Sequence, residues 1–337
     1  MDLDGDGYPD IISGSWPGEI FLFRGGPGHT FGPPEMIKDK EGKIINVGGG
    51  VREQPGGSTL IAGDAKFETT AEGTFVNYQG RRIKSTPEKP VMITGTASAV
   101  HAVDWNGDGR IDLLVGDIGG NVYLIRNEGT PKKYAFGKPR QLKAGGKALH
   151  VNGDAGPFAC DWDGDGLIDL LVGAGDGSVW FYRNVGSATA PELAAGVLLV
   201  PPGDASFGAN SPKTPRRGIR SKVCAVDWNG DGRLDLLVGD FATQKPDRPE
   251  PTSAEQAEHE KVRKTLASVE LKYNQLLGKV FGSSRVKDEE EHAKLQKELG
   301  DVSQQMQELR SKLPPEYETH GWVWLFLRKP AEAKAAE

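Results

Sequence analysis

A short acidic segment that recurs four times constrains the fold of this 337-residue chain more than any other feature. Each copy has the form D-x-[DN]-G-D-G-x-x-D, and an apolar run that ends in glycine follows it directly. The copies begin at Asp2, Asp104, Asp161 and Asp227. Because the same motif is repeated along the chain, we expect a repeated structural unit.

A second apolar run follows each of the first three copies after a short turn. These runs are rich in β-branched and aromatic residues: GEIFLFR from Gly18, GNVYLIR from Gly120 and GSVWFYR from Gly177. Such a composition, bounded by Gly and Asp, predicts two antiparallel strands joined in a hairpin. A leading strand is predicted just before each of the last three acidic segments, and a fourth strand is expected at the edge of each unit.

The fold class predicted from these units is all-β, a β-propeller of four-stranded antiparallel blades. A sandwich with repeated hairpins fits less well, because the spacing within the four clear units is nearly identical. A fifth, degenerate unit is expected where TLIAGD (59–64) and EGTFVNYQ (72–79) resemble the two strands without an acidic loop; a plain β-hairpin insertion is the alternative. The first unit lacks a leading strand, which predicts that a preceding segment is absent and leaves the closure of the ring open.

Oxygen-bearing residues at alternate positions of each acidic loop predict a metal site. Side chains at positions 1, 3, 5 and 9, with the backbone carbonyl of position 7, would surround one Ca²⁺, which takes 6–8 oxygen ligands, whereas Mg²⁺ demands a stricter octahedron. Asp and Gly are also common turn formers, but four empty loops of this charge would repel themselves. We therefore expect up to four Ca²⁺ ions, one per loop. The predicted ligands are Asp2, Asp4, Asp6, Tyr8, Asp10, Asp104, Asn106, Asp108, Arg110, Asp112, Asp161, Asp163, Asp165, Leu167, Asp169, Asp227, Asn229, Asp231, Arg233 and Asp235.

The sequence resembles the FG-GAP and VCBS-type repeats of integrin-alpha-like propellers. The features that carry the resemblance are the acidic loops, the DLLVG or DIISG runs after them and the G-x-[VI]-aromatic strands. The resemblance covers most of residues 1–245 and returns at 320–330. It implies a calcium-loop propeller that is secreted, periplasmic or exposed at the cell surface, although no signal peptide is visible in this chain. It also implies adhesion or ligand binding, and some proteins of this architecture are lectins or lyases.

Composition argues against two other classes of partner. The formal net charge of −6 disfavours nucleic-acid binding, which needs a basic face. No apolar run reaches the roughly 18 residues that a membrane-spanning helix needs. The two cysteines, Cys160 and Cys224, are too few for a disulfide framework, and we expect two buried thiols rather than a bridge.

A long insertion interrupts the fourth unit, between LLVGD, which ends at Asp240, and GWVWLFLR, which begins at Gly321. Apolar residues step by three and four along two arms, 262–280 and 295–313, and predict an antiparallel helical hairpin with FGSSRVKD as its turn. The hairpin is either a structural spur or an arm that binds a partner. The predicted domains are 1–249 (blades), 250–316 (helical hairpin), 317–330 (returning strand of the last blade) and 331–337 (disordered tail).

The sequence contains no H-E-x-x-H pair, no G-x-S-x-G elbow and no phosphate loop. His101 is predicted to be a core histidine, and Trp105, Trp162 and Trp228 are predicted to pack between blades rather than to stack on sugars. We therefore expect no catalytic residue, and a calcium-stabilised extracellular module that binds a protein or glycan or serves adhesion. The alternative is a propeller-fold enzyme, a lyase or hydrolase that acts on polysaccharide.

Overall fold

The structure is a computed structural model. It describes residues 1–48, 50–53, 58–62, 65–70, 72–78, 80–86, 89–281 and 288–329. The predicted tail at 331–337 lies outside these residues. The chain divides into two compact bodies. The β-rich body comprises Met1–Ser206, Pro215–Ala242 and the described residues from Thr319 onward; the helical body comprises Phe207–Thr214 and Thr243–Glu318. No helix in the described ranges is long and apolar enough to cross a membrane.

The first repeat unit, unit 1, has five short strands. They are β1 (Ile11–Gly14), β2 (Ile20–Phe23), β3 (Gly25–Gly26), β4 (Thr30–Phe31) and β5 (Glu35–Met36). Three of them form an antiparallel sheet in the order β1-β2-β5, and β3 pairs with β4 in a small hairpin. The predicted hairpin of two strands after the first acidic loop is therefore present.

The segment after unit 1 forms two further three-stranded sheets. Its strands are β6 (Gly50–Glu53), β7 (Thr59–Ala62), β8 (Lys66–Thr70), β9 (Gly73–Tyr78), β10 (Arg81–Ser85) and β11 (Val91–Thr94). Strand β7 pairs with β6 and, in parallel, with β11, whereas β9 pairs with β8 and β10. The prediction of a degenerate fifth unit is wrong, because its two strands do not pair with each other. The plain hairpin is also too simple; Gly63, Asp64 and Gln79 of the predicted unit lie outside the described residues.

Units 2 and 3 are four-stranded antiparallel sheets with consecutive strand order. Unit 2 contains β12 (Ala99–Val103), β13 (Asp112–Gly116), β14 (Val122–Ile125) and β15 (Arg140–Gln141), and the hairpin of β16 (Lys143–Ala144) and β17 (Lys147–Ala148) follows it. Unit 3 contains β18 (Gly156–Cys160), β19 (Asp169–Gly173), β20 (Val179–Tyr182) and β21 (Val197–Val200). A short 3₁₀ helix at Gly208–Asn210 comes next in the chain.

Unit 4 contains the insertion. Its elements are β22 (Ile219–Val226), β23 (Asp235–Gln244), helices α1 (Ser253–Phe281) and α2 (Glu289–Ser311), β24 (Glu318–His320) and β25 (Val323–Phe326). Strand β23 pairs with β22, β24 and β25. The first strand after the loop pairs with the second strand in the same register in all four units: Ile11 with Phe23, Leu113 with Ile125, Leu170 with Tyr182 and Leu236 with Phe326.

The DLLVG strand of a unit is buried on both faces by its neighbours. In unit 2, Leu113 and Val115 lie in a core cluster with residues of unit 1, whereas Leu114 lies in a cluster with residues of unit 3. All three side chains are fully buried. Burial on both faces explains why these strands are continuously apolar instead of alternating.

Tryptophan at position 2 of the loop extends the packing between units. Trp105 of unit 2 is 3% exposed and shares a cluster with Leu170 of unit 3, and Trp162 of unit 3 shares one with Leu236 of unit 4. The prediction that these two tryptophans pack between units is confirmed. The equivalent Trp228 is 60% exposed, so for this residue the prediction is wrong.

The side of unit 4 that faces away from unit 3 is exposed in the described part of the chain. Besides Trp228, it presents Val323, which is 71% exposed, and Cys224, also an exposed residue. Cys160, on the corresponding side of unit 3, is only partly buried. The prediction of two buried thiols is therefore wrong for Cys224, because burial at this position depends on a neighbouring unit and not on the strand itself.

The two helices pack against each other through the predicted stripes. Val269 and Leu276 of α1 form a cluster with Val302 and Met306 of α2. The helices run antiparallel, since the His292 ring lies 3.0 Å from the Val280 carbonyl at one end and Arg310 contacts Glu270 toward the other. Thr252 and Glu255 exchange capping hydrogen bonds at the start of α1. The Gly-Ser turn predicted between the arms falls on residues 282–287, outside the described ranges.

Replacing residues 250–316 by a short glycine-containing turn is expected to leave the β-rich body folded. Units 1 to 3 close the corresponding hairpin with a short turn, and lengthening or shortening such a connection changes loop entropy only slowly. Circular dichroism should lose its helical component while one cooperative thermal transition remains. Deleting the returning strand β25 serves as the control that removes core contacts, and it is expected to abolish the transition. A shortened-loop variant that behaves like this control would show that the hairpin is integral to the fold.

Candidate metal sites

Each acidic loop is placed by the two strands that flank it. The loop joins β12 to β13 in unit 2, β18 to β19 in unit 3 and β22 to β23 in unit 4, and it precedes β1 in unit 1. The glycines at positions 4 and 6 have left-handed backbones, with φ of 64° at Gly107 and 80° at Gly109. A side chain at either position would be strained, so glycine is what permits the loop to curl around its own carboxylates.

Aspartates at positions 1 and 5 are bonded to the loop backbone. In unit 3, Asp161 accepts N–H bonds from Gly164 at 2.8 Å and Gly166 at 2.9 Å, and Asp165 accepts one from Leu167 at 3.0 Å. The same pattern recurs at Asp2, Asp6, Asp104, Asp108, Asp227 and Asp231. The N–H of Gly7 lowers the pKa of Asp2, and the N–H of Leu167 lowers the pKa of Asp165, so these groups stay ionised.

Aspartate at position 9 is the buried member of each loop. One of its oxygens accepts an N–H bond from the end of the second strand, as from Asn184 to Asp169 at 2.7 Å. The other three donors are Gly25, Asn127 and Arg328. Donor and acceptor are 15 residues apart in units 1 to 3 and 93 apart in unit 4, so the insertion adds 78 residues without breaking this bond. Sequence reasoning missed this connection, although the constant spacing was visible.

The buried carboxylate at position 9 needs a positively charged partner when it is ionised. Asp112 and Asp169 are fully buried, and burial raises the pKa of both. An ionised carboxylate that leaves water is stabilised only by hydrogen bonds, a cationic partner or a metal ion. Position 9 therefore links the stability of the sheet to the charge state of the loop.

Carboxylate oxygens converge in two of the loops. Ligand atoms of Asp2, Asp4 and Asp10 all lie within 4.8 Å of one another, and so do those of the equivalent Asp161, Asp163 and Asp169. Positions 1, 3 and 9 thus lie together in these two loops, and their role as metal ligands stays a prediction. The acid at position 5 instead has its bond to position 7, and for the carbonyls of Tyr8, Arg110, Leu167 and Arg233 the metal role stays a prediction.

The loops of units 2 and 4 have asparagine at position 3. In unit 2, the side-chain oxygen of Asn106 is buried and accepts no hydrogen bond from the described residues. Buried polar atoms are nearly always paired. A cation at this position would satisfy the oxygen, so the donor set fits a hard, oxygen-binding ion such as Ca²⁺.

The arginine that ends the second strand reaches back to the loop in three units. Arg183 lies 2.6 Å from Asp163 and 2.8 Å from Asp165. Arg126 lies 3.2 Å from both Asp108 and Asp112, and Arg24 contacts Asp4. In unit 4, Leu327 occupies this register position, and Arg328, one residue later, lies over the Trp162 ring, 4.9 Å from its centroid. These arginines were visible in the sequence as the last letter of each strand, but their role depends on the hairpin register.

One comparison with known proteins agrees with the repeat pattern. A family model for the FG-GAP-like repeat matches residues 161–238, which run from the loop of unit 3 into β23 of unit 4. None of the curated proteins matches the sequence. Among solved structures, the chain is similar to an Agrocybe aegerita lectin described by its recognition of non-reducing terminal N-acetylglucosamine. The identity is 18% over 71% of this chain and 61% of that one, with a TM-score of 0.29.

The lectin likeness supports no conclusion about fold or ligand, and this chain spans only 61% of that protein. The family match is independent of it and falls on the loops and strands just described. It shows an FG-GAP-like repeat at residues 161–238, which is consistent with an FG-GAP-type repeat protein.

Proposed function

We propose that the chain is a calcium-stabilised β-propeller module that binds a protein or glycan ligand outside the cell. The observation that carries this proposal is the convergence of three carboxylates within 4.8 Å in the loops of units 1 and 3. Such clusters on a rigid strand–loop–strand frame suit a structural cation. A secreted or surface location fits both the family match and calcium sites, since extracellular calcium modules bind in the range of about 10⁻⁴–10⁻³ M.

The propeller architecture is supported by the way the sheets follow one another. Units 1 and 2, 2 and 3, and 3 and 4 each share a separate apolar cluster. Sheets that pack face to face in sequence order, with one register in every unit, are the arrangement of propeller blades. The four described units would then be four blades of the ring.

Charge around each loop ranks the four proposed calcium sites. The loops of units 1 and 3 each hold four aspartates and contact one arginine, Arg24 or Arg183. The loop of unit 4 holds three aspartates and Arg233, whereas that of unit 2 holds three with both Arg110 and Arg126. Because calcium affinity rises with ligand charge, we expect units 1 and 3 to bind most tightly, unit 4 next and unit 2 most weakly.

Binding is favoured over catalysis because His101 and the loop aspartates already have structural partners. His101 packs on Phe158 with ring centroids 4.6 Å apart, and burial lowers its pKa, which suits a core residue. The loop aspartates are bonded to backbone N–H groups of their own loops. A polysaccharide lyase or hydrolase remains the competing function that an assay must exclude.

The protein is expected to bind a member of an array of extracellular glycans and matrix proteins in millimolar calcium, and to lose that binding in EGTA. The reason is that EGTA would release the cations that fix the loops and thereby the unit corners. Each polysaccharide on the array should also be incubated with the protein and its reducing ends counted. Binding to nothing on the array, or cleavage of a polysaccharide, would overturn the proposed function.

A further inference from the structure

A cavity of about 690 Å³ opens at the end of the sheets opposite the acidic loops. Its position follows from the strand direction, because it is lined where the apolar runs after the loops end, at Gly14 and Gly239. The residues around it come from units 1, 2 and 4 and from the segments just before units 2 and 3. Those used below are Trp16, Ala97, Asp154, Arg220, Lys222, Asp240 and Trp322.

Backbone strain is concentrated at this cavity. Four non-glycine residues in the described ranges have positive φ, and three of them line it: Ala97 at 47°, Asp154 at 42° and Arg220 at 60°. Arg220 also lies in an irregular stretch of β22, where the pairing with β23 shifts between Ile219 and Lys222. Unfavourable backbone conformations and bulges of this kind cluster at binding and catalytic sites, where they aim a side chain.

Trp16 provides an exposed aromatic surface that is held in place. The residue is 58% exposed, yet its ring lies so close to Gly95 that a Cβ there would be 2.3 Å from the indole carbon Cε2. The Trp16 carbonyl accepts N–H bonds from Thr96 at 2.8 Å and Ala97 at 3.0 Å. An exposed indole that is fixed on both its ring and its backbone loses little entropy when a ligand stacks on it.

Charged groups of both signs line the same cavity as this indole. Asp154 is bonded to Arg220 at 2.6 Å and to the Lys222 ammonium at 3.1 Å. The side chains of Arg220 and Lys222 are still 47% and 45% exposed. With Asp240, the cavity has two negative groups to match its two positive ones, so its formal charge is balanced. The Asp240 carboxylate accepts hydrogen bonds from Gly218, Trp322 and Trp324.

We propose that this cavity binds a neutral pyranose residue of a saccharide, with the C–H face of the sugar on Trp16 and its hydroxyls bonded by Arg220, Lys222 and Asp154. A hydroxyl both donates and accepts hydrogen bonds, so a paired set of cations and carboxylate serves it on both counts. Charge balance disfavours uronate or phosphate ligands. The inference rests on the proposed binding function and names its ligand class and site.

The test is an array of neutral, uronate and sulfated oligosaccharides, followed by calorimetry with the neutral oligosaccharide that gives the strongest signal. Trp16→Ala is expected to weaken binding about tenfold or more, because it removes the stacking surface. Trp228→Ala is the matched control, since Trp228 is 60% exposed but does not line the cavity, and it should bind like the unaltered protein.

Arg220→Gly separates binding from folding. Glycine relieves the strain of a φ of 60°, which offsets the lost ion pair of Arg220 with Asp154, and Lys222 still pairs with Asp154. The melting temperature should therefore stay close to that of the unaltered protein while binding weakens about tenfold. Three results would each overturn the inference: no neutral saccharide bound, binding only to acidic saccharides, or Trp16→Ala binding like Trp228→Ala. If the chain still binds a matrix protein on the array of extracellular glycans and matrix proteins, and does so only with calcium, the proposed binding function stands although the saccharide site is refuted.

Discussion

Replacing Trp105 by alanine is expected to lower the free energy of unfolding of the β-rich body by about 3–5 kcal/mol, the usual loss when a large aromatic side chain is removed from a core. Trp105 is 3% exposed and lies in one cluster with Leu170 and Tyr182 of the next unit. The substitution would therefore open a cavity at the interface between two repeat units. Urea denaturation followed by circular dichroism, in saturating calcium, measures the change.

The chain contains its own control for this experiment. Trp228 occupies the same loop position in unit 4 but is 60% exposed, so Trp228→Ala should change the free energy of unfolding by no more than about 0.5 kcal/mol. Because both variants lose the same atoms next to the same loop motif, the difference between them isolates packing between units. Similar losses in the two variants would contradict the inter-unit core.

The local sequence pattern was enough to predict the secondary structure within each repeat unit. The DLLVG strands, the hairpins after them and the two helices were all visible, because period and composition specify strands and helices directly. The segment around Thr59–Ala62 shows the limit of this reasoning. Its apolar sequence resembles DLLVG, yet the strand pairs in parallel with Val91–Thr94. Which strand a given strand pairs with is set by tertiary packing and is not specified by the local sequence.

Features that depend on a neighbour could not be predicted from one unit. Trp105 and Trp228 lie in nearly identical local sequences and differ in what lies beside them. The second apolar run of unit 4 is one residue longer, so Leu327 takes the register position of Arg183, and Arg328 lies over Trp162 of the preceding unit. Sequence therefore identified the acidic loops and the hairpins after them, but not the arginines that contact the loop carboxylates.

Removing calcium is expected to lower the melting temperature of the protein by several degrees or more. A ligand at 100 times its dissociation constant stabilises the folded state by about 2.7 kcal/mol per site, and the chain has up to four proposed sites. Each kilocalorie per mole shifts the melting temperature of a domain of 150–250 residues by about 2–4 °C. Thermal melts in millimolar calcium and in EGTA, with magnesium as a weaker competitor, measure the shift.

Single-loop variants test whether the shift arises in the acidic loops. Asp161→Ala should remove more of the calcium-induced rise than Asp104→Ala, because fewer arginines neutralise the loop of unit 3. Asp39→Ala is the control: Asp39 accepts backbone N–H bonds from Glu41 and Lys43 in an ordinary turn, so its loss should lower both melts equally. If calcium raises the melting temperature of Asp161→Ala as much as that of the unaltered protein, that loop does not hold the ion. Since its three carboxylates converge within the same 4.8 Å as those of unit 1, the same result would weaken the case for calcium in the other loops.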